Sequence, residues 1–212
     1  MSSAEAGATK PEVLFVYYTH TQQALRVCEA MTEVLRERGC NVTQAGIEFT
    51  DPHYAKNFGE FPFRHAVFGI LPLLLPQLRQ KTGEIRIPEA AQQGDYDLVC
   101  FGSPTWFFRT SMPLRSYLWS VNLKEVKKRG IAQGGTYVDG IRFTYEGGQI
   151  RSLLSLLSYF GKGEMRERSL GINIPPTNLK LDFREEAQAF ADKLADGLGS
   201  GNQNPMSKES VT

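Results

Sequence analysis

The chain has 212 residues, 41% hydrophobic, 22% charged and 11% aromatic. These are the proportions of a folded globular protein and exclude a disordered, collagen-like or coiled-coil chain. Twenty-four Lys and Arg against 23 Asp and Glu leave a net charge of +1, and without a polybasic block there is no electrostatic footprint for nucleic acid.

At roughly 150 residues per domain the length predicts one domain. We place it over 12–198, between a polar N-terminus (1–11) and a polar tail (199–212), both expected to be disordered. Met1–Lys10 has no apolar segment of the secretory type. The longest uncharged apolar run, Ala66–Leu75, is broken by Pro72 and falls short of the ~20 residues of a membrane span, so a soluble protein is expected. Three cysteines (Cys28, Cys40 and Cys100) form no CxxC and no His-rich cluster. They predict reduced thiols, a cytoplasmic location and no metal site.

Glu12–Tyr18 is a continuous apolar and aromatic run, as in a strand buried on both faces of a parallel sheet. After Thr19–Gln23 the period changes. Ala24, Cys28, Met31 and Leu35 recur at helical spacing, and Gly39 marks the stop. Cys40–Ile47 reads as an edge strand, which completes a βαβ unit. Thr50–Lys81 is irregular. Within it 58–78 concentrates Phe, Ile and Leu and reads as a helix packed into the core, or as a substrate lid, homodimer contact or membrane-surface contact.

Tyr96–Phe101 is a second buried-strand candidate, closed by Gly102-Ser103-Pro104. Pro113 suits the first position of a helix through Trp119. Asn122–Arg129 has helical propensity, and Tyr137-Val138 with Ile141–Tyr145 read as strand. Ile150, Leu153, Leu154 and Leu157 mark a helical face. Ser169–Ile174 is expected as one short strand before Pro175-Pro176. Asp182 and Glu185 form a capping-box pattern before a last amphipathic helix carrying Phe183, Ala187, Phe190, Ala191 and Leu194. The alternation of strands and helices predicts an α/β fold with a parallel sheet. Ligands of such sheets bind at the carboxyl ends of strands, which points to the loops after Tyr18 and Phe101.

The first loop, Thr19-His20-Thr21-Gln22-Gln23-Ala24, joins a buried strand to a helix. Its hydroxyls and the helix N–H groups suit a phosphate monoester, although Thr19 or Thr21 as a plain helix cap accounts for the pattern equally well. The second, Gly102-Ser103-Pro104-Thr105-Trp106-Phe107-Phe108-Arg109, sets three aromatic residues at a strand end. That suits a flat aromatic ligand, or packing on neighbouring helices.

The two loops together resemble the flavodoxin-like family. Thr19–Ala24 is similar to its phosphate loop, Ser/Thr-x-Thr-Gly-x-Thr. Tyr96-Asp-Leu-Val followed by Gly102-Ser-Pro-Thr-Trp106 is similar to its third strand and first flavin-ring loop. The resemblance implies a doubly wound, three-layer α/β/α fold with strand order 2-1-3-4-5 and FMN at the strand ends. Thr19, His20, Thr21, Gln22 and Gln23 would hold the phosphate. Ser103, Pro104, Thr105 and Trp106 would line the ring, with Trp106 in contact with it. The implied activity is an FMN-dependent oxidoreductase passing electrons or hydride to a small apolar acceptor such as a quinone. An electron-carrier flavodoxin and a flavin-free scaffold are the other readings, and no catalytic side chain is nominated.

The chain departs from the family pattern at three places. Gln22 stands where Gly is usual and Ala24 where a Thr often donates. After Trp119 no apolar run continues the chain as a fourth strand. Thr136–Phe143 or Ser169–Ile174 is expected to pair beside Tyr96–Phe101 instead.

Overall fold

The computed structural model describes residues 9–57, 73–106, 109–120, 138–143, 168–169, 172–173 and 179–199. Most of the apolar 58–78 segment, the Asn122–Arg129 stretch, the Ile150–Leu157 helical face and the tail after Gly199 lie outside them.

The centre is a three-stranded parallel sheet in the order β2 (Asn41–Gly46), β1 (Glu12–Tyr17), β5 (Leu98–Gly102). Val13 stands opposite Val42 on one side and Leu98 on the other. The ladder runs on past the strands, since Asn41 N donates to the Pro11 carbonyl and Tyr18 N to the Gly102 carbonyl. Val13, Leu14, Phe15 and Val16 are each 2% exposed or less. Side chains alternate across a strand, so a run apolar at every position is buried on both faces, and each such side chain contributes about 1.5–3 kcal/mol.

Val13 and Phe15 pack with Cys28, Met31 and Leu35 of α1 (Gln23–Glu37) and with Ala187, Ala191 and Leu194 of α3 (Phe183–Gly199). Leu14 and Val16 pack on the other face with Tyr96, Ala91 and with Leu114 and Tyr117 of α2 (Met112–Ser120). Helix α1 ends as its sequence dictates. Gly39 takes φ +85°, its N–H reaches the Arg36 carbonyl, and Cys40 N–H reaches that of Leu35. This is a paired C-terminal closure that needs a left-handed residue. Helix α2 begins one residue before Pro113.

Among the described residues three smaller antiparallel pairs stand apart from the ladder of the sheet. They are β3 (Glu48–Phe49) with β4 (Ile85–Arg86), β6 (Thr105–Trp106) with β7 (Arg109–Thr110), and β8 (Arg168–Ser169) with β9 (Ile172–Asn173). The last pair corrects the reading of Ser169–Ile174 as one strand beside the sheet. Ser169 stands opposite Ile172, so the two halves pair with each other within 168–173, a spacing suited to a hairpin. Residues 138–143 are not strand either. There the Asp139 carboxylate accepts from Gly140 N–H at 2.7 Å, a local bond that competes with a ladder. Among the described residues β5 pairs only with β1.

Candidate functional site

β1 and β5 end side by side, and the chain leaves them in opposite directions, β1 through α1 to β2 and β5 toward α2. The crevice that opens where neighbouring strands diverge holds the ligand site of open α/β sheets. Here a cavity of about 410 Å³ lies at that point and extends down along β5. Its polar rim is Thr19, Thr21 and Gln23 from the first loop and Ser103 and Thr105 from the second. Its floor is apolar, with Phe15, Met31 and Leu98 from the sheet and α1, and Phe190 and Leu194 from α3. Residues 138–143 form a further wall.

The first loop ends at Gln22, which takes φ 62° and ψ 0° directly before α1, without a side-chain cap bond. The left-handed geometry expected of a glycine is therefore adopted by a residue with a Cβ, at about 1–2 kcal/mol. The N–H groups of Gln23, Ala24 and Leu25 have no acceptor within the helix, a consequence of helix geometry. With the Thr19 and Thr21 hydroxyls they make a donor set without a carboxylate, the chemistry that a phosphate requires. Gln22 is exposed, and neither it nor His20 is on the cavity wall.

The second loop is tied down. Ser103 Oγ donates to the Pro104 carbonyl at 2.9 Å, shares a hydrogen bond with Ser111 Oγ at 2.9 Å and accepts from Ser111 N–H. Trp106, expected against the ligand ring, lies on the other face of the sheet. Its ring meets Tyr18 edge-on at 5.6 Å and Phe49 at 6.3 Å. The β6–β7 hairpin makes this turn, and it is locked from below. Gln77 Nε2 donates to the Trp106 and Thr110 carbonyls at 3.2 and 2.7 Å, and Gln77 Oε1 accepts from Arg115 Nη2 at 2.6 Å. Gln77 is fully buried and Arg115 is 7% exposed. Burial, with a smaller contribution from the like charge of Arg109, lowers the Arg115 pKa.

Two thiols, Cys28 and Cys100, are on the cavity wall. Burial, with Glu29 nearby, pushes Cys28 up to about 12, and burial, with Cys28 nearby, pushes Cys100 up to about 12. Both are therefore neutral near pH 7 and poor nucleophiles. Gly102 fits between Cys28 and β1. A Cβ there would stand 3.0 Å from Tyr17 Cβ and 3.1 Å from Cys28 Sγ. Among the described residues no group of three or more His, Cys, Asp or Glu side chains is gathered as a metal would require.

Of the residues singled out in sequence, Thr19, Thr21, Gln23, Ser103, Pro104 and Thr105 come together on one cavity, while His20, Gln22 and Trp106 do not reach its wall. Residues 138–143 and the α3 side chains Phe190 and Leu194 join the site without any sequence signal for it. Their helical or Gly-rich patterns carry no local sign that they meet β5. No family model matches the chain, and a search of curated proteins finds no match. No helix among the described residues is long and apolar enough to cross a membrane.

Proposed function

We propose that the chain is a flavodoxin-like protein that binds FMN in this cavity and acts as an oxidoreductase. The observation that carries the proposal is the convergence of Thr19, Thr21 and Gln23 with Ser103, Pro104 and Thr105 on one cavity where β1 and β5 end. The doubly wound, three-layer arrangement belongs to the same reading. Its supports are the order β2-β1-β5 and the helical residues packed on both faces of the sheet.

In this reading Thr19, Thr21 and the first N–H groups of α1 hold the phosphate. Pro104, Thr105 and the apolar wall of Phe143 and Phe190 face the rest of the molecule and keep water from it. Redox chemistry comes from the flavin ring, and the chain supplies binding and surroundings. The neutral Cys28 and Cys100 thiols fit a passive wall. The apolar floor favours an apolar acceptor such as a quinone, and the three free thiols favour a reducing, cytoplasmic setting. A net charge of +1 separates the chain from the strongly acidic electron carriers of the family.

Titration of the purified protein with FMN, monitored by flavin absorbance and fluorescence, tests the proposal. Saturable binding at one site is expected, and no binding at micromolar FMN would overturn it. One observation favours a flavin-free role for the same fold. The Trp106 ring packs with Tyr18 and Phe49 rather than at the cavity. The same titration separates the two readings.

A further inference from the structure

The charged groups on the cavity wall are few. Among the described residues only Asp139 and Arg142 carry charge there, both on the 138–143 segment. Asp139 is engaged. Lys193 of α3 pairs with its Oδ2 and Gly140 N–H with its Oδ1, and the Lys193 bond above all holds its carboxyl below the usual range. No ion pair among the described residues holds Arg142. The polar rim of the same cavity, Thr19, Thr21, Gln23, Ser103 and Thr105, is uncharged. Among the described residues the wall thus carries one uncompensated positive charge.

The segment that carries Arg142 is held in place. On one side, three residues back, Asp139 is pinned to α3. On the other, Phe143 packs against the core cluster of Val13, Phe15 and Leu194. Arg142 is exposed between these two anchors, on the wall of a cavity whose floor is apolar. A guanidinium carries five donors in a planar fork that matches phosphate and carboxylate oxygens.

We propose that Arg142 is a ligand-binding residue of this cavity and pairs with an anionic group of its occupant. On the flavin reading, on which this inference rests, that group is the phosphate. The Thr19–Gln23 loop then supplies neutral donors and Arg142, on the wall of the same cavity, the countercharge. The occupant is an amphiphile, with an anion at the rim and an apolar or aromatic body along β5.

Titrating the wild-type protein, Arg142→Gln and Arg142→Lys with FMN and with riboflavin, which lacks the phosphate, tests this. A charge-assisted bond predicts that Arg142→Gln loses roughly tenfold or more in FMN affinity. Its riboflavin affinity should stay at the wild-type level, and Arg142→Lys should recover part of the FMN loss. Wild-type FMN binding should also weaken with added salt more than that of Arg142→Gln. Unchanged FMN affinity in Arg142→Gln would overturn the proposal and leave the flavin reading standing. Equal losses for FMN and riboflavin would overturn it too, by making Arg142 a support of the wall. A wild-type protein that binds neither flavin overturns the flavin reading, and this pairing with it.

Discussion

The loops after β1 and β5 leave adjacent strands, and both resemble parts of one cofactor site, yet their side chains do different work. Thr19, Thr21 and Gln23 present polar groups to the cavity. In the second loop Ser103 is bonded to Ser111, and Trp106 is turned to the opposite face and fastened through its carbonyl to Gln77. The first loop leaves its polar side chains at the cavity, and the second spends its hydrogen bonds on a hairpin. The difference arises from the element that each loop leads into. Helix α1 leaves its N–H groups unbonded at the crevice. The β6–β7 hairpin carries Trp106 across the sheet, where Tyr18 and Phe49 offer an aromatic pocket.

The contrast is broken most severely at Gln77. Replacing it by Leu removes the bonds to two carbonyls and to Arg115, leaving a buried guanidinium short of acceptors. Each hydrogen bond to a charged group is worth about 1.5–3 kcal/mol, with further cost for buried groups left unpaired. We expect Gln77→Leu to lose about 3 kcal/mol, read as a lower midpoint in urea unfolding with an unchanged slope. A midpoint within error of wild type would mean that the hairpin does not depend on this lock.

Gly102 starts the second loop, where a Cβ would crowd Tyr17 and Cys28. Overpacking of this kind costs about 1–3 kcal/mol, so Gly102→Ala should lower the thermal midpoint clearly. A more stable variant would show that β5 can shift away from β1.

The loops are compared directly by Thr21→Ala and Ser103→Ala. Loss of the Thr21 hydroxyl should weaken FMN roughly tenfold with little effect on folding. Loss of Ser103 should act the other way, removing about 1 kcal/mol of stability with little change in FMN affinity. Paired unfolding and titration curves for both variants decide it. The reverse pattern would exchange the roles of the two loops.

The smallest effect is expected at Gln22. Its backbone is already left-handed, so Gln22→Gly relieves the strain of the Cβ while making the unfolded chain freer. The net gain in stability should be below about 1 kcal/mol, and FMN binding should tighten by no more than about threefold. A large loss of affinity would reveal that the Gln22 side chain makes its own ligand contact.

The parts of this protein that carry a local signal were legible in the amino-acid sequence alone. The continuous apolar run at Glu12–Tyr18 meant burial on both faces. The spacing of Cys28, Met31 and Leu35 meant one face of a helix, and Gly39 its end. The βαβ start, the existence of a further strand at Leu98–Gly102 (of which only Leu98 is buried, not the whole run) and the two loops at strand ends come from such patterns, because periodicity and turn chemistry act over a few neighbouring residues. Features that depend on partners far along the chain were settled by the tertiary fold. It turned Trp106 toward Tyr18 and Phe49, paired 168–169 with 172–173 and locked Gln77 to Arg115. It also brought Arg142 and α3 to a cavity beside β5. None of these carries a local pattern, since the same Trp, Arg or Gln suits either a ligand or a packed interior. Which it serves is set by the groups that the fold places around it.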